Sequence, residues 1–293
     1  MIDIGSNSVL CLVAAPADGG ALRVLADLLE TTRLASGLRD GGPLDPAARG
    51  RTLRAVAAFA DRARALGARE VVGLGTAAMR AASDGATFAR EIEAEAGVTV
   101  AILSGTDEAR LAYRAVAPDD AGLLLTVDVG GRSTELVLGD GARIDEARSL
   151  PLGALTLTEE LVGDRPADAD ALAAVRERVG RVLAPEGVPA RACAGAARLV
   201  ASGGTATALA ALDLGLTAYD PERVHGHVID TARLVALALD GRGVLDPGRR
   251  RILPAGAVVL ECVARAAGAA RVEVSDHGIR HARLHELFAG GSR

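Results

Sequence analysis

Two stretches of the chain share one pattern. Ile2-Asp3-Ile4-Gly5-Ser6-Asn7-Ser8-Val9-Leu10 is echoed 125 positions later by Val127-Asp128-Val129-Gly130-Gly131-Arg132-Ser133-Thr134-Glu135-Leu136. Each reads as strand, Asp, Gly, hydroxyl-rich turn, strand. Tight turns at Gly5, Ser6, Asn7 and Ser8 and at Gly130, Gly131, Arg132, Ser133 and Thr134 present successive backbone N–H groups to an anion, and Gly lets the backbone come close to a phosphate. An Asp at a strand end can hold Mg²⁺ directly or through water, as phosphate chemistry usually requires. A single turn of this kind is an ordinary β-turn. Two matched turns with matched Asp residues point to a phosphate site.

Two more segments carry groups of the same kind. Leu103-Ser104-Gly105-Thr106-Asp107-Glu108-Ala109-Arg110 ends a strand and opens a helix, which puts Glu108 in a first helical turn. An acid there is also a common capping or dipole-favoured residue. Leu199-Val200-Ala201-Ser202-Gly203-Gly204-Thr205 is again strand, Gly-Gly turn and helix N-terminus. Such a terminus is a ready anion site, although close strand–helix packing uses Gly-Gly equally well. Asn7 is the only Asn in a chain that has no Lys at all.

These groups must be held by an α/β scaffold. Strand-like runs at 8–15, 70–75 and 98–103 alternate with helix-like stretches at 46–66, 86–96 and 106–117. Pro118-Asp119-Asp120-Ala121-Gly122 interrupts the cycle, which restarts with strands 123–128, 134–138 and 142–149, a helix 168–184, a strand near 198–201 and a helix 205–213. Two equivalent hairpins in two halves predict a duplicated fold whose loops face each other across a cleft, where a ligand would sit.

Composition narrows the partners. The 293 residues carry 33 basic and 38 acidic side chains, a net charge of −5, and only 2% are aromatic. Neither nucleic-acid backbone nor stacked bases are expected as the main partner. No apolar run is long enough for a membrane span, and the N-terminus lacks the features of a secretory signal, so a soluble cytoplasmic protein is expected. Cys11, Cys193 and Cys262 are far apart in sequence, without metal-ligand spacing, and read as small apolar residues.

Taken together, the chain resembles the exopolyphosphatase / guanosine pentaphosphate phosphohydrolase (Ppx/GppA) family over nearly its whole length. The blocks, in family order, are Asp3–Ser8, Arg33-Leu-Ala-Ser-Gly-Leu38, Gly75-Thr-Ala-Ala-Met-Arg80, Ser104–Arg110, Asp128–Glu135, Ala201–Thr205 and Tyr219-Asp-Pro-Glu-Arg-Val-His-Gly226. The resemblance implies a two-domain, RNase H-like duplicated fold of the actin-like (ASKHA) type. Its first domain would be about 1–117, with a C-terminal helix in 276–293 packing back on it, and its second about 118–275. It implies hydrolysis of a terminal phosphoanhydride of inorganic polyphosphate or of pppGpp, with Glu108 as general base and Arg80 neutralising a phosphate. Asp3, Asp128 and Glu135 would surround Mg²⁺ or Mn²⁺, and a homodimer is the assembly expected by analogy. The turns at Gly5–Ser8 and Gly130–Thr134, with Gly203, Gly204 and Thr205, would cradle phosphates.

The chain departs from the family at several places. Arg132 stands where relatives carry a third Gly, a substitution that would either add a phosphate contact or obstruct the loop, because Arg adopts φ > 0 poorly. Asp84 replaces an Asn and would add negative charge near an anion site. Near the C-terminus, Gly278-Ile-Arg-His-Ala282 replaces Gly-Leu-Arg-Glu-Gly, and Arg251 replaces an Asp. A spoiled loop would make the protein a polyphosphate or nucleotide sensor without turnover, and a kinase of the same superfamily is the third reading. His277, His281 and His285 recur every four residues, a spacing that one helix face could turn into a metal site. The run Arg249-Arg250-Arg251 reads as a solvated helix start or an attractor for a polyanion tail.

Overall fold

The computed structural model describes residues 1–17, 21–117, 122–189, 197–240 and 245–290. Cys193 and the break at 118–121 lie outside the described residues. The chain divides into two compact units, Met1–Leu111 with Ile279–Arg293, and Ala112–Gly278.

In the first unit, β1 (Ile2–Ile4), β2 (Ser8–Pro16), β3 (Leu22–Thr31), β4 (Val72–Gly75) and β5 (Thr99–Ile102) form one sheet in the order β3-β2-β1-β4-β5. The first three strands are antiparallel, and β4 and β5 run parallel to β1. Asp3 thus sits on the central strand, level with Leu10 on one side and Leu74 on the other. Helix α1 (Pro46–Ala65) starts where its sequence says it should: the Ala48 N–H donates to the Asp45 carboxylate at 2.8 Å, and Pro46 fills the first helical position. Two shorter helices, α2 (Ala77–Ala81) and α3 (Gly85–Ala96), follow β4. Helix α4 (Gly105–Val116) follows β5.

The second unit holds β6 (Leu123–Val129), β7 (Thr134–Asp140), β8 (Arg143–Leu150), β9 (Arg198–Ser202), β10 (Val228–Asp230) and β11 (Arg271–Val274), in the order β10-β11-β9-β6-β7-β8. Strands β8-β7-β6-β9-β11 repeat the order β3-β2-β1-β4-β5 of the first sheet, and β10 is an added antiparallel edge. Its helices are α5 (Ala154–Leu157), α6 (Ala169–Glu186), α7 (Gly203–Asp213), α8 (Pro221–Val224), α9 (Leu234–Asp240) and α10 (Pro247–Ala266). The apolar run Ile252–Leu260 of α10 is buried throughout. Helix α11 (Ile279–Gly290) belongs to the first unit. One strand order met twice in one chain makes this a duplicated α/β fold of the actin-like class.

The local pattern anticipates the longer elements up to α7 to within two or three residues, but not the short α2, α5, α8, α9, β10 and β11, nor the ten-residue β3. That strand is the outer edge of its sheet and leaves Val24, Leu25 and Leu29 exposed. It therefore lacks the alternation that marks a half-buried strand.

Candidate functional site

The two hairpin turns close in the same way. Gly5 N–H donates to the Ser8 carbonyl at 3.0 Å, and Gly130 N–H donates to the Ser133 carbonyl at 2.9 Å. A side chain at either Gly would press on that carbonyl, at 2.9 Å for Gly5 and 3.1 Å for Gly130. The repeat seen in sequence is thus a repeat of hydrogen-bonded geometry.

In the second unit, the β6–β7 turn rests on the start of α5. Ala154 N–H donates to the Gly130 carbonyl at 2.9 Å, and the Leu155 and Thr156 N–H groups donate to the Gly131 carbonyl at 2.9 and 3.1 Å. This approach needs Gly153, because a Cβ there would lie 2.1 Å from the Arg132 Cα. With the Gly130 and Gly131 carbonyls engaged, the turn keeps its N–H edge for an anion: among the described residues, the Gly131 and Ser133 N–H groups have no backbone acceptor. Arg132 is not among the residues with positive φ. The turn places no left-handed residue at that position, so the expected conformational conflict does not arise and Arg fits where relatives carry Gly.

Asp128 and Glu135 lie directly opposite each other across β6 and β7, so both carboxylates are on one face of the sheet. Glu135 is buried and accepts a hydrogen bond from the Ser149 hydroxyl at 2.8 Å. Asp128 accepts one from the Ser202 hydroxyl at 3.3 Å. The N-terminus of α7 docks on this carboxylate. Gly203 has φ 75°, and a Cβ there would meet Asp128 Oδ1 at 2.2 Å. Thr205 ties the same helix turn to β6 by donating its hydroxyl to the Val129 carbonyl at 3.0 Å. Burial pushes the Asp128 pKa up to about 6, against the opposing pull of the Ser202 hydroxyl and of the Arg249 charge. A divalent cation suits this donor set: two carboxylates on one face of the sheet, one of them raised in pKa by burial. Among the described residues, no three His, Cys, Asp or Glu side chains cluster as a metal site.

Arg249 joins the same group. A Cβ on Gly204 would fall 2.5–2.6 Å from its guanidinium atoms, so the cation lies against the α7 N-terminus. Burial lowers the Arg249 pKa, and the charges of Asp246 and Asp128 oppose that shift. The sequence singles out the run but not this member: Arg250 is exposed, and Arg251 pairs with Asp164 at 2.8 Å. Only the one-turn offset of Arg249 from the capping Asp246 hints that it points elsewhere than its neighbours.

In the first unit, Arg80 at the end of α2 donates to Glu108 at 2.8 Å and to the Leu103 carbonyl at 2.8 Å. The Glu108 side chain is 13% exposed. Capping is done by other groups: Ser104 accepts from the Asp107 N–H at 3.1 Å and donates to the Asp107 carboxylate at 2.6 Å. Glu108 is therefore not the capping acid of α4. Ser6, Asn7 and Ser8 are buried, and the Asn7 amide nitrogen donates to the Ser8 hydroxyl at 3.1 Å. Asp84, expected to add negative charge near an anion, instead accepts from the Leu44 N–H at 2.9 Å and pairs with Arg49 at 2.8 Å. The three histidines do not line a helix face. His277 precedes α11 and packs on His225 with ring centroids 4.4 Å apart, His281 is buried, and His285 is exposed.

The class is a duplicated α/β fold of the actin-like type, each half carrying an Asp strand and a Gly turn closed by the same hydrogen bond. Within that class the chain belongs to the Ppx/GppA phosphatase family, whose model matches residues 12–288. It is similar to the crystal structure of the Aquifex aeolicus Ppx/GppA family member, 26% identical with a TM-score of 0.79, over 100% of this chain and 97% of that one. A second structure of the Aquifex aeolicus PPX-GPPA enzyme is 27% identical with a TM-score of 0.77, covering 97% of each chain. An exopolyphosphatase from Cytophaga hutchinsonii, 20% identical over 99% of this chain and 97% of its own, shares the fold with a TM-score of 0.86. Among the described residues, no helix is long and apolar enough to cross a membrane.

Proposed function

We propose that this chain hydrolyses the terminal phosphoanhydride of inorganic polyphosphate and releases orthophosphate, with Mg²⁺ or Mn²⁺ as its cation. The observation that carries this reading is the Asp128–Glu135 carboxylate pair, set between the N–H edge of the Gly130–Ser133 turn and the α7 N-terminus with Arg249. Acids that can hold a cation stand beside donors that can hold phosphate oxygens. That combination suits phosphoryl transfer, where positioned donors and charge neutralisation do most of the work.

Glu108 is the general base in this reading. It takes a proton from the attacking water as the water oxygen bonds to the terminal phosphorus and the bridging P–O bond breaks, leaving a chain one phosphate shorter. Arg80 holds Glu108 in place and, through its remaining N–H groups, offers charge to a phosphate oxygen. In the first unit the Gly5–Ser8 turn, and in the second the Gly130–Thr134 turn and the α7 N-terminus, each offer N–H groups suited to phosphate oxygens. A bound divalent cation would withdraw charge from the phosphate oxygens and polarise the terminal phosphate.

The test is phosphate release by the purified protein with Mg²⁺, given polyphosphates of several lengths, pppGpp and ATP in parallel. Release from polyphosphate is expected to fall at least ~100-fold in Glu108→Gln while polyphosphate binding persists. Exclusive release from pppGpp would move the substrate to the nucleotide. Binding without release from any of them would make the protein a sensor.

A further inference from the structure

One cation beside the Gly5–Ser8 turn has no part in the chemistry above. Arg33 is the only non-glycine with positive φ among the described residues, at 52°. An L-residue in that region is strained, whereas Gly is not. Four residues further on, the same segment uses a glycine for the same backbone region, Gly37 at φ 65°. Conformation alone therefore does not account for an Arg at position 33.

Its surroundings point to a ligand. The Thr32 and Arg33 N–H groups both donate to the Asn7 carbonyl, at 3.1 and 2.8 Å, and the Ala35 N–H donates to the Ser6 carbonyl at 2.9 Å. Leu34 and Ala35 are buried and anchor the segment. Arg33 is thus fixed by its backbone to the first-unit turn. Arg33 as a residue is partly buried, and its guanidinium makes no hydrogen bond or ion pair among the described residues. Its neighbours leave polar atoms unanswered: Asn7, 5% exposed, has a buried Oδ1 without a partner, and Thr32, 1% exposed, has a buried Oγ1 without one. The nearby Arg51 is already committed, donating its Nε to the Thr32 carbonyl at 3.1 Å. The Asn7 and Thr32 atoms are enclosed, and an amide oxygen offers nothing to an anion; the strained backbone that holds an uncommitted guanidinium at the Gly5–Ser8 turn is what marks a place where an anion binds.

We infer that Arg33 is a phosphate-binding residue, whose guanidinium donates to the oxygens of a condensed-phosphate anion held at the Gly5–Ser8 turn. The choice of condensed phosphate rests on the function proposed above. Arg33 acts in binding, not in bond breaking, because a planar guanidinium that never loses its proton is suited to hold phosphate and not to move a proton.

The experiment uses the full chain, with Arg33→Gly and Arg33→Lys, and measures thermal midpoint, tripolyphosphate and GTP binding by calorimetry, and polyphosphate hydrolysis. Gly relieves the backbone, so the ligand-free midpoint is expected to stay level or rise, while the tripolyphosphate Kd weakens ~10-fold or more. The KM for polyphosphate should rise by a similar factor with kcat changed less than ~3-fold, and Lys should restore part of the affinity. Wild-type affinity and KM in Arg33→Gly overturn the inference and leave the proposed hydrolysis standing. So does a lower midpoint with unchanged binding, which would make Arg33 structural. If the wild-type protein hydrolyses no polyphosphate yet binds tripolyphosphate or GTP in an Arg33-dependent way, the inference stands and the proposed activity falls. A protein that binds neither anion refutes both.

Discussion

At the scale of single residues, Asp128 carries the clearest electrostatic signature. Its folded-state pKa of about 6 is above the ordinary 3.8, so the folded protein holds this proton more tightly than the unfolded chain does. The stability that this proton confers is complete below about pH 4 and is lost as pH rises through 6. Asp128→Asn should therefore melt with the wild-type protein near pH 4 and above it at pH 8 in chelator, by several degrees, for a difference on the order of 2 kcal/mol. A difference that is the same at both pH values would refute this account. Arg132 gives a second prediction at this scale. Because the turn asks for no left-handed residue there, Arg132→Gly should keep the midpoint within ~2 °C and weaken tripolyphosphate binding ~10-fold, as loss of a guanidinium contact would. Faster turnover in that variant would show that Arg132 obstructs the loop.

At the scale of elements, two glycines let helix starts meet their ligands, and they differ in what blocks a side chain. At Gly153 the obstacle is the Arg132 backbone and the Gly131 carbonyl, at 2.1 and 2.2 Å. Neither can yield without moving the turn away from α5. At Gly204 the obstacle is the end of the Arg249 side chain, which can swing aside. Gly153→Ala should therefore cost about 1–3 kcal/mol and most of the activity, whereas Gly204→Ala should cost little stability and weaken phosphate binding. Melting curves and calorimetric titrations of the pair test the distinction, and equal stability losses would refute it.

At the scale of the whole molecule, the first unit is completed by the far end of the chain. Arg280 at the start of α11 is 9% exposed and pairs with Asp27 of β3, 253 positions away. Helix α11 also packs on β1, the strand that carries Asp3, and on β2. Arg280→Ala should lower stability by about 2 kcal/mol and bring loss of activity to a lower temperature. An unchanged melting curve would show that α11 docks by its apolar residues alone.

Much of this was legible in the sequence. The alternation of strands and helices and the paired Asp–Gly turns are local signals, set by backbone geometry within a few residues of each position. A family resemblance can place Glu108, Asp128 and Glu135 in a list, but not say what each touches. Tertiary structure alone decided that Arg80 reaches Glu108 across 28 positions, that Arg249 and not its neighbours lies against Gly204, that burial raises Asp128, and that Arg33 bends the wrong way for its residue type. Strand and helix positions and tight turns follow from neighbours along the chain. Charge burial, ion pairing and backbone strain depend on which distant segments pack together, and no local window contains that information.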